Sequence, residues 1–280
     1  MLLSHADGLG GLSSARGHWH SREHIRTELG NDVDTIMTTF STRGGPVFAI
    51  VGPYDADPIA TTWEGVRAFY TSIRETIDVH AVTDFFEIAN DWMAFREGLF
   101  ELRPLGGGDP IYRSYVSLVA ADDTGVRVDM AWSVEPVPGG HRRARALEPG
   151  EVRSELRDLR MFRALMDAWH AGDADAAAQF VTPDARLIVP VFLPGDPRFI
   201  VALSGRDAYR DHLAALFDAY AVREVGLLDV NVGDWYVFAE TTWALEDRRT
   251  AEAYNVRSAV SHSLDPQGQI NGMLGAAMQV

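Results

Sequence analysis

The chain contains no cysteine, so disulfides, thiolate metal sites and cysteine nucleophiles are all excluded. It has no apolar run close to the roughly 18–20 residues that a membrane-spanning helix needs. Residues 1–17 also lack the basic start and the long apolar stretch of a signal peptide. These absences predict a cytoplasmic protein without a membrane partner. Any chemistry has to come from carboxylates, histidines, tyrosines, arginines and hydroxyls.

Positive charge is scarce too. Lys and Arg number 25 against 40 Asp and Glu, which gives a formal charge of −15. A phosphate backbone would therefore meet net repulsion, and nucleic acid is not an expected partner. The one basic cluster, residues 141–145, is flanked by Gly139-Gly140 and Pro149-Gly150. Of its two interpretations, a polyanion patch and a solvated linker, we favour the linker.

The sequence repeats itself. At an offset of 140 residues, five residues of the first half fall on identical residues of the second without a gap: Phe40, Thr42, Val51, Gly65 and Ala68. Three inserted residues later, the segment 91–102 falls on 234–245 with five identities in twelve positions, where residue frequencies predict about one. The repeat predicts two domains of one kind at 1–138 and 151–280, joined by a linker at 139–150.

Both halves share one order of predicted elements. In the second, apolar residues at helical spacing over 156–169 predict a helix that breaks before a short helix at 174–180. After Thr182-Pro183-Asp184 the pattern predicts a strand over 186–192, and a helix that begins at Ser204-Gly205 follows. Alternating patterns then predict four strands in the second half, at 222–232, 235–245, 253–264 and 270–280. In the first half, a helix near 64–76 is followed by four predicted strands at 79–89, 92–103, 111–121 and 126–134.

Helices followed by a meander of long strands predict an α+β fold, with two tandem cone-shaped domains, each a strongly curved antiparallel sheet wrapped on about three helices. Four stretches of the second half resemble the landmarks of the SnoaL-like, or nuclear transport factor 2-like, domains. They are Ala168-Trp169-His170-Ala171-Gly172-Asp173, Phe180-Val181-Thr182-Pro183-Asp184-Ala185, Leu203-Ser204-Gly205-Arg206-Asp207-Ala208 and Val232-Gly233-Asp234-Trp235. The first half shares the resemblance through the repeat and is more degenerate.

This resemblance implies a bent sheet with an apolar pocket at its open end. The family includes ketosteroid isomerases, scytalone dehydratases, limonene-epoxide hydrolases and polyketide cyclases, besides non-catalytic binders and dimerisation modules, so the fold does not fix the function. It implies no cofactor and no metal, and a small apolar molecule as partner. Single cones of the family dimerise through the outer face of the sheet, which predicts an intramolecular pseudo-dimer and leaves a homo-oligomer open. Because its landmarks are more complete, we expect the second domain to have the better-formed pocket.

Candidate catalytic residues are sparse. The Asp-Pro base that ketosteroid isomerases carry after their first strand is missing, because the equivalent stretches are Leu187-Ile188-Val189-Pro190 and Phe48-Ala49-Ile50-Val51. Asp129 lies on the last strand of the first domain, where SnoaL-like cyclases often carry an acidic residue. Strand alternation leaves it either in the cone or, if Val128, Met130 and Trp132 face the core, in solvent.

Glu97 and Glu240 occupy one position of the repeat in apolar strand patterns. Each is interpreted either as a half-buried carboxylate with a raised pKa or as the partner of an arginine on a neighbouring strand, such as Arg113 or Arg257. His262 of the second domain could act as a general acid or base or merely be hydrogen-bonded. The expected ligand-binding residues all belong to the second domain: Tyr236, Trp243, Tyr254, Arg257, Asn271 and Trp169.

One further motif, His20-Ser21-Arg22-Glu23-His24, has the H-x-x-E-H spacing of zinc peptidases. Nothing downstream resembles their third ligand, so we interpret it as chance. The sequence thus predicts a small-molecule enzyme that cyclises, dehydrates, isomerises or opens an epoxide by general acid–base chemistry on an apolar, oxygenated substrate. The alternative is a non-catalytic ligand-binding or assembly module of two cones, which the missing Asp-Pro base favours.

Overall fold

The computed structural model describes residues 10–30, 32–43, 46–51, 59–136, 149–190 and 200–280. The chain divides into two compact units, Met1–Ala144 and Arg145–Val280, and the division falls inside the segment predicted as the linker. The basic cluster at 141–145 lies outside the described residues. No helix in the described part is long and apolar enough to cross a membrane.

The two domains have the same order of elements. The first consists of α1 (Gly10–Leu29), α2 (Val33–Met37), β1 (Val47–Val51), β2 (Ile59–Ala60), α3 (Trp63–Thr76), β3 (Ile77–Ala89), β4 (Met93–Pro104), β5 (Ile111–Ala121) and β6 (Val126–Val134). The second consists of α4 (Pro149–Ala171), α5 (Ala174–Ala178), β7 (Val181–Pro190), β8 (Ile200–Ser204), α6 (Gly205–Ala219), β9 (Tyr220–Val232), β10 (Tyr236–Asp247), β11 (Ala253–Leu264) and β12 (Ile270–Gln279). The predicted α+β class with two tandem cone-like domains is confirmed.

Each domain has one six-stranded sheet. The strand orders are β2-β1-β6-β5-β4-β3 and β8-β7-β12-β11-β10-β9, so the long strands form an antiparallel meander. The sheets are mixed rather than purely antiparallel, because β1 pairs parallel to β6 and β7 pairs parallel to β12. Bulges interrupt the ladders of β3 with β4 and of β9 with β10, and bulges bend strands. This curvature makes room for the helices on one face.

Local chemistry explains where the helices begin. Asp32 caps α2 by accepting from the backbone N–H of Asp34, and Asp173 caps α5 by accepting from that of Ala176. Each cap starts a short helix soon after a long helix ends, as the sequence predicts for the second domain. In the second domain, apolar side chains of α4 and α6 such as Phe162 and Leu213 pack on the concave face of the sheet.

The strand predicted to start at Arg186 begins earlier, because β7 already starts at Val181. Val181 pairs with Ile270, and pairing with β12 resumes only at Arg186. The intervening residues form no ladder with either neighbour. Pro183 has no backbone N–H to donate, so this interruption is a place where a strand tolerates it.

Candidate active site

The first domain has a cavity of about 300 Å³. Residues of α1, α3 and the strands β1 and β3 to β6 line it, and apolar atoms supply most of the lining surface. Ten of the 21 lining residues are polar: Glu28, Tyr70, Ser72, Arg74, Thr76, Arg113, Tyr115, Ser117, Asp129 and Ser133. A largely apolar cavity with a few convergent polar groups is what small-molecule sites generally have in common.

Three elements bring the polar groups of one wall together. Residues four apart on a helix lie on the same face, so α1 presents His24 and Glu28 side by side. Tyr70 comes from α3, and Asp129 comes from β6, where the alternation of the strand puts it on the cavity side with Ala131 and Ser133. His24 and Asp129 are buried, and Glu28 is half-buried.

The Tyr70 hydroxyl is the centre of this cluster. It lies 2.8 Å from Glu28 Oε1 and 2.8 Å from Asp129 Oδ2. His24 Nε2 lies 3.2 Å from the same hydroxyl and 3.3 Å from Asp129 Oδ2. A phenol has one proton, so Tyr70 can donate to only one carboxylate at a time, and the two carboxylates share it.

The His24 ring has a defined orientation. Its Nδ1 lies 2.5 Å from the Thr39 hydroxyl, which itself donates to the carbonyl oxygen of Ile36 at 2.6 Å. Because the hydroxyl proton of Thr39 is engaged there, Nδ1–H is the donor to Thr39. The other nitrogen, Nε2, then faces Tyr70 and Asp129, where an imidazolium can donate and a neutral ring can accept.

The cluster changes the pKa values of its members. Burial and the charge of Asp129 raise the pKa of Glu28 to about 7, against the opposing effects of His24, Tyr70 and Arg74. Burial lowers the pKa of His24, but the hydrogen bond to Asp129 and the charges of Glu28 and Asp129 outweigh it, so the pKa is raised overall. Burial and the two carboxylates raise the pKa of Tyr70 well above its ordinary value. Tyr70 therefore stays protonated near neutrality, while Glu28 is poised to exchange a proton.

His24, Glu28 and Asp129 also offer one nitrogen and two oxygens within 4.8 Å of one another, a set that could ligate a divalent cation. The Tyr70 hydroxyl already lies within hydrogen-bonding distance of all three atoms. The described geometry therefore fits a proton-sharing network. His20 and Glu23 of the H-x-x-E-H motif are not part of the group, and Glu23 instead accepts from Arg26 on the same helix.

The second domain has a far smaller cavity. The cavity that the described residues enclose there has a volume of about 40 Å³. The expectation that the second domain has the better-formed pocket is therefore wrong. The cause is a set of substitutions between the repeats, which the matching helix caps and strand ladders identify.

Asp32 and Asp173 are the N-caps of α2 and α5, the short helices that follow α1 and α4, and they align α1 with α4 at an offset of 141 residues. Ile77 and Tyr220 are the C-caps of α3 and α6, and they align these two helices at an offset of 143 residues. On β6 and β12, Asp129 pairs with Val119, and Met273 pairs with the equivalent His262. The polar residues of the first cavity thus have apolar counterparts in the second domain: Leu165 for His24, Trp169 for Glu28, Leu213 for Tyr70, Phe217 for Arg74 and Met273 for Asp129. These large side chains belong to the core and fill the second cone.

His262 is one of the polar residues that line the small cavity of the second domain, with Tyr209, His212, Thr241 and Ser258. It lies at the small cavity between the rings of Phe162 and Trp169. Its Nδ1 lies 3.2 Å from the Val237 carbonyl oxygen, and its buried Nε2 has no hydrogen-bond partner among the described residues. Burial lowers the pKa of His262 to about 4, so the ring is neutral near pH 7.

Glu97 and Glu240 do not line either cavity. On β10 the cavity-lining residues are Ala239, Thr241 and Trp243, and because alternate strand residues point to opposite faces, Glu240 points the other way. On β4 the lining residues Phe100 and Leu102 give the same result for Glu97. Both glutamates are nevertheless buried. Glu240 accepts from Arg257 Nε at 3.0 Å and from Nη2 at 2.6 Å.

The residues expected to bind ligand are divided by the structure. Trp169 and Trp243 line the small cavity with their rings 5.3 Å apart. The other four, Tyr236, Tyr254, Arg257 and Asn271, lie outside the cavity lining. The Tyr236 hydroxyl accepts from Asn231, the Tyr254 hydroxyl donates to Glu252, and Arg257 pairs with Glu240. The buried Oδ1 of Asn271 has no partner among the described residues.

Sequence reasoning identified Asp129 and missed its partners. His24 was considered only as part of a zinc-motif spacing interpreted as chance, and Glu28 and Tyr70 were not singled out. One signal could have found them: His24 and Glu28 are spaced i, i+4 on the first helix, as are Tyr70 and Arg74 on the third. In the second domain the counterparts of these four positions are apolar.

Comparison with known proteins gives a family match. The sequence model of the SnoaL-like domain matches residues 162–273. A search of curated proteins found no match. Among solved structures, the epoxide hydrolase/cyclase-like enzyme SalBIII, involved in pyran ring formation in the polyether salinomycin, is 17% identical, with 45% of this chain and 94% of that chain covered and a TM-score of 0.38.

Two further solved structures are similar. A protein assigned to the SnoaL-like polyketide cyclases, from Jannaschia sp. CCS1, is 19% identical, with 48% of this chain and 90% of that chain covered and a TM-score of 0.38. A hypothetical protein with a ketosteroid isomerase-like fold from Catenulispora acidiphila DSM 44928, in complex with trimethylamine, is 13% identical, with coverages of 41% and 82% and a TM-score of 0.36. Residues 162–273 therefore form a SnoaL-like domain, and a domain with the same strand order precedes it.

Proposed function

We propose that the first domain is a general acid–base catalyst for a small apolar, oxygenated molecule such as a polyketide, terpenoid or steroid-like compound. The observation that carries the proposal is the Tyr70 hydroxyl, held 2.8 Å from both Glu28 and Asp129 at the wall of an apolar cavity. Cyclisation, dehydration, isomerisation and epoxide opening all need one proton delivered and one removed. The cluster has a group for each task.

The proposed roles follow from the proton positions. Protonated Glu28 donates to the substrate oxygen as its C–O bond breaks, and the Asp129 carboxylate accepts the proton of the attacking hydroxyl or of the carbon that is deprotonated. Tyr70 then passes its proton to Glu28 and takes one from Asp129, which restores the starting state. His24, oriented by Thr39, stabilises the negative charge of Asp129 from behind the cavity wall.

For the second domain we propose the alternative function, a non-catalytic module that supports the chain. Its cone is filled by the core side chains, and its cavity of about 40 Å³ is too small for a polyketide-sized ligand. The pairing of the two domains into an intramolecular pseudo-dimer, and any homo-oligomer, stay predictions. Measuring rotational correlation times by NMR tests the pairing, because two halves that tumble independently would contradict it.

The catalytic proposal is tested with a panel of aryl epoxides carrying an internal hydroxyl and of β,γ-unsaturated ketones. For a compound that the wild type converts, we expect Glu28→Gln and Asp129→Asn to lower kcat by about 10²–10⁴-fold, the usual contribution of a general acid or base. The matched control is Glu240→Gln, the same chemical change at a buried glutamate of the other domain, which should leave kcat unchanged. Full turnover in Glu28→Gln and Asp129→Asn would refute the proposal.

A further inference from the structure

The cavity of the first domain has a second polar region besides the acid–base cluster. Arg74, on the last turn of α3, and Arg113, on β5, both contribute to its lining. Ser117, four residues beyond Arg113 and on the same face of β5, also lines the cavity and pairs with the lining residue Ala131 of β6. These side chains have no role in the proton transfers proposed above.

Arg74 has donors that nothing in the described chain accepts. A guanidinium carries five N–H donors. Nη2 donates to the backbone carbonyl of Glu28, whereas Nε and Nη1 are buried without a hydrogen-bond partner among the described residues. The Nε of Arg113 and the hydroxyl of Ser117 are likewise buried and unsatisfied, although Nη1 of Arg113 pairs with Glu135.

Unsatisfied buried donors destabilise the empty protein. A buried donor without a partner costs free energy, and a charged donor costs more, so a cluster of such donors at one cavity is seldom kept without a partner. The Arg74 guanidinium cannot lose its charge near neutrality. The charge of Arg74 lowers the pKa of the Glu28 carboxyl group, but burial and Asp129 outweigh this effect and raise that pKa to about 7, so Glu28 is not a permanent counter-charge for Arg74.

We infer that Arg74 anchors a carboxylate of the substrate, with Ser117 and the free Nε of Arg113 as supporting donors. This inference rests on the proposed function and names the substrate class: an apolar molecule with an oxygen function to be protonated and an anionic carboxylate. Arg74, Arg113 and Ser117 line the cavity while these donor atoms are buried, so the anchor requires the flexible arginine side chain to rotate towards the ligand. Arg74 is a binding residue in this assignment, and it transfers no proton.

The filled second domain agrees with this assignment. The counterpart of Arg74 on α6 is Phe217, a core residue, since the helix ends at Ile77 and Tyr220 align the two positions. The arginine therefore belongs with the open cavity and is not needed for the fold. If this helix position had only a structural role, either arginine or phenylalanine could occupy it.

The test uses 2-naphthoate and its uncharged analogue 2-naphthamide, which differ in charge and hardly in shape. With the full-length protein at pH 7, isothermal titration should show the naphthoate binding about 10- to 100-fold more tightly, the value of one charge-assisted hydrogen-bonded pair. Arg74→Gln should abolish this preference without weakening naphthamide binding. The matched control is Arg67→Gln on the same helix, whose arginine forms an exposed ion pair with Asp34 and whose loss should leave the preference intact.

Equal binding of both compounds by the wild type, or an undiminished preference in Arg74→Gln, would overturn the inference. If Arg74→Gln fails to fold, Arg74→Lys, which keeps the charge, replaces it in the test. The preference for naphthoate should then be reduced but still present, and an unaltered preference counts against the anchor. Binding is measured without turnover. A preference for naphthoate together with no acid–base activity would refute the proposed function alone, whereas turnover without a preference would refute the anchor alone.

Discussion

Glu28 shows how several side chains set the acidity of one carboxyl group. Burial and Asp129 raise its pKa, while His24, Tyr70 and Arg74 lower it. The groups come from three elements: His24 from its own helix, Tyr70 and Arg74 from α3, and Asp129 from β6. Arg96 of β4 adds its charge to the same network by lowering the pKa of His24. The balance of these opposing effects gives a carboxyl group that titrates near pH 7.

This balance predicts opposite shifts in two variants. In the wild type, the side-chain ¹³C carboxyl signal of Glu28 should titrate with a pKa of about 7. Asp129→Asn removes a negative charge and should lower that pKa, whereas Arg74→Gln removes a positive charge and should raise it. Activity that needs protonated Glu28 should fall as the pH rises through about 7. Shifts of the same sign in both variants would contradict the assignment.

His262 predicts an acid sensitivity of the second domain. Its pKa is about 4 in the folded protein and about 6.5 when unfolded, so the unfolded chain binds the extra proton in between. Stability is therefore lost as the pH falls from 6.5 towards 4, by about 2–3 kcal/mol at pH 4.5. His262→Asn retains a donor for the Val237 carbonyl and does not titrate.

Urea unfolding at pH 7 and pH 4.5 measures this effect. The difference in the free energy of unfolding between the two pH values should be smaller in His262→Asn by about 2–3 kcal/mol. The exposed His80 of the first domain provides the control, since His80→Asn should leave the difference unchanged. An equal acid sensitivity of wild type and His262→Asn would show that the buried imidazole is not responsible.

At the scale of elements, the ladder between β10 and β11 contains an ion pair away from both cavities. Arg257 and Glu240 have side chains that are 21% and 5% exposed, so water screens them little. Glu240→Gln should leave the guanidinium without this carboxylate and lower the free energy of unfolding by about 1–3 kcal/mol. Glu246→Gln, on the same strand, breaks a more exposed pair with Arg223 that water screens, and it should cost much less stability than Glu240→Gln. Loss of turnover with unchanged stability would instead favour a catalytic Glu240.

The start of α6 depends on a glycine. Gly205 has φ of +84°, and a Cβ at this position would lie 2.5 Å from the carbonyl oxygen of Pro183. Gly205→Ala should therefore lower stability by about 1–3 kcal/mol through strain and the clash. Gly106→Ala is the control, because a Cβ there meets nothing within 4 Å. Thermal unfolding of both variants tests this, and equal melting temperatures would contradict the strain argument.

Element types were predictable because they rest on periodicity. The strands 111–121, 126–134 and 253–264 were predicted with the bounds that the structure has, since alternation and turn residues are local signals. The parallel pairing of β1 with β6 has no local signal, because it joins residues about 80 positions apart. Asp129 was found from its strand, but Glu28 matters only through neighbours on α3 and β6 that the sequence does not reveal as neighbours.

At the scale of the whole molecule, two domains with one strand order have different interiors. The sequence landmarks of the family lie at turns and helix ends, which both domains need. These landmarks are more complete in the second domain. The space inside a cone depends on a handful of core side chains, and Trp169 alone replaces the much smaller and polar Glu28. Completeness of the landmarks therefore predicted the fold of the second domain correctly and its pocket wrongly.

This difference predicts one small-molecule site per chain. 2-Naphthoate should bind with a stoichiometry near one and perturb backbone amide signals around Ser117 and Ala131, which line the large cavity, but not those of Thr241 and Ser258, which line the small one. Trp169→Ala removes the side chain that fills the second cone. It should lower stability by about 3–5 kcal/mol, and at a temperature where the variant is folded it should admit naphthamide next to Thr241 and Ser258. Two equivalents bound by the wild type, or no new site in folded Trp169→Ala, would mean that something other than these core side chains separates the two domains.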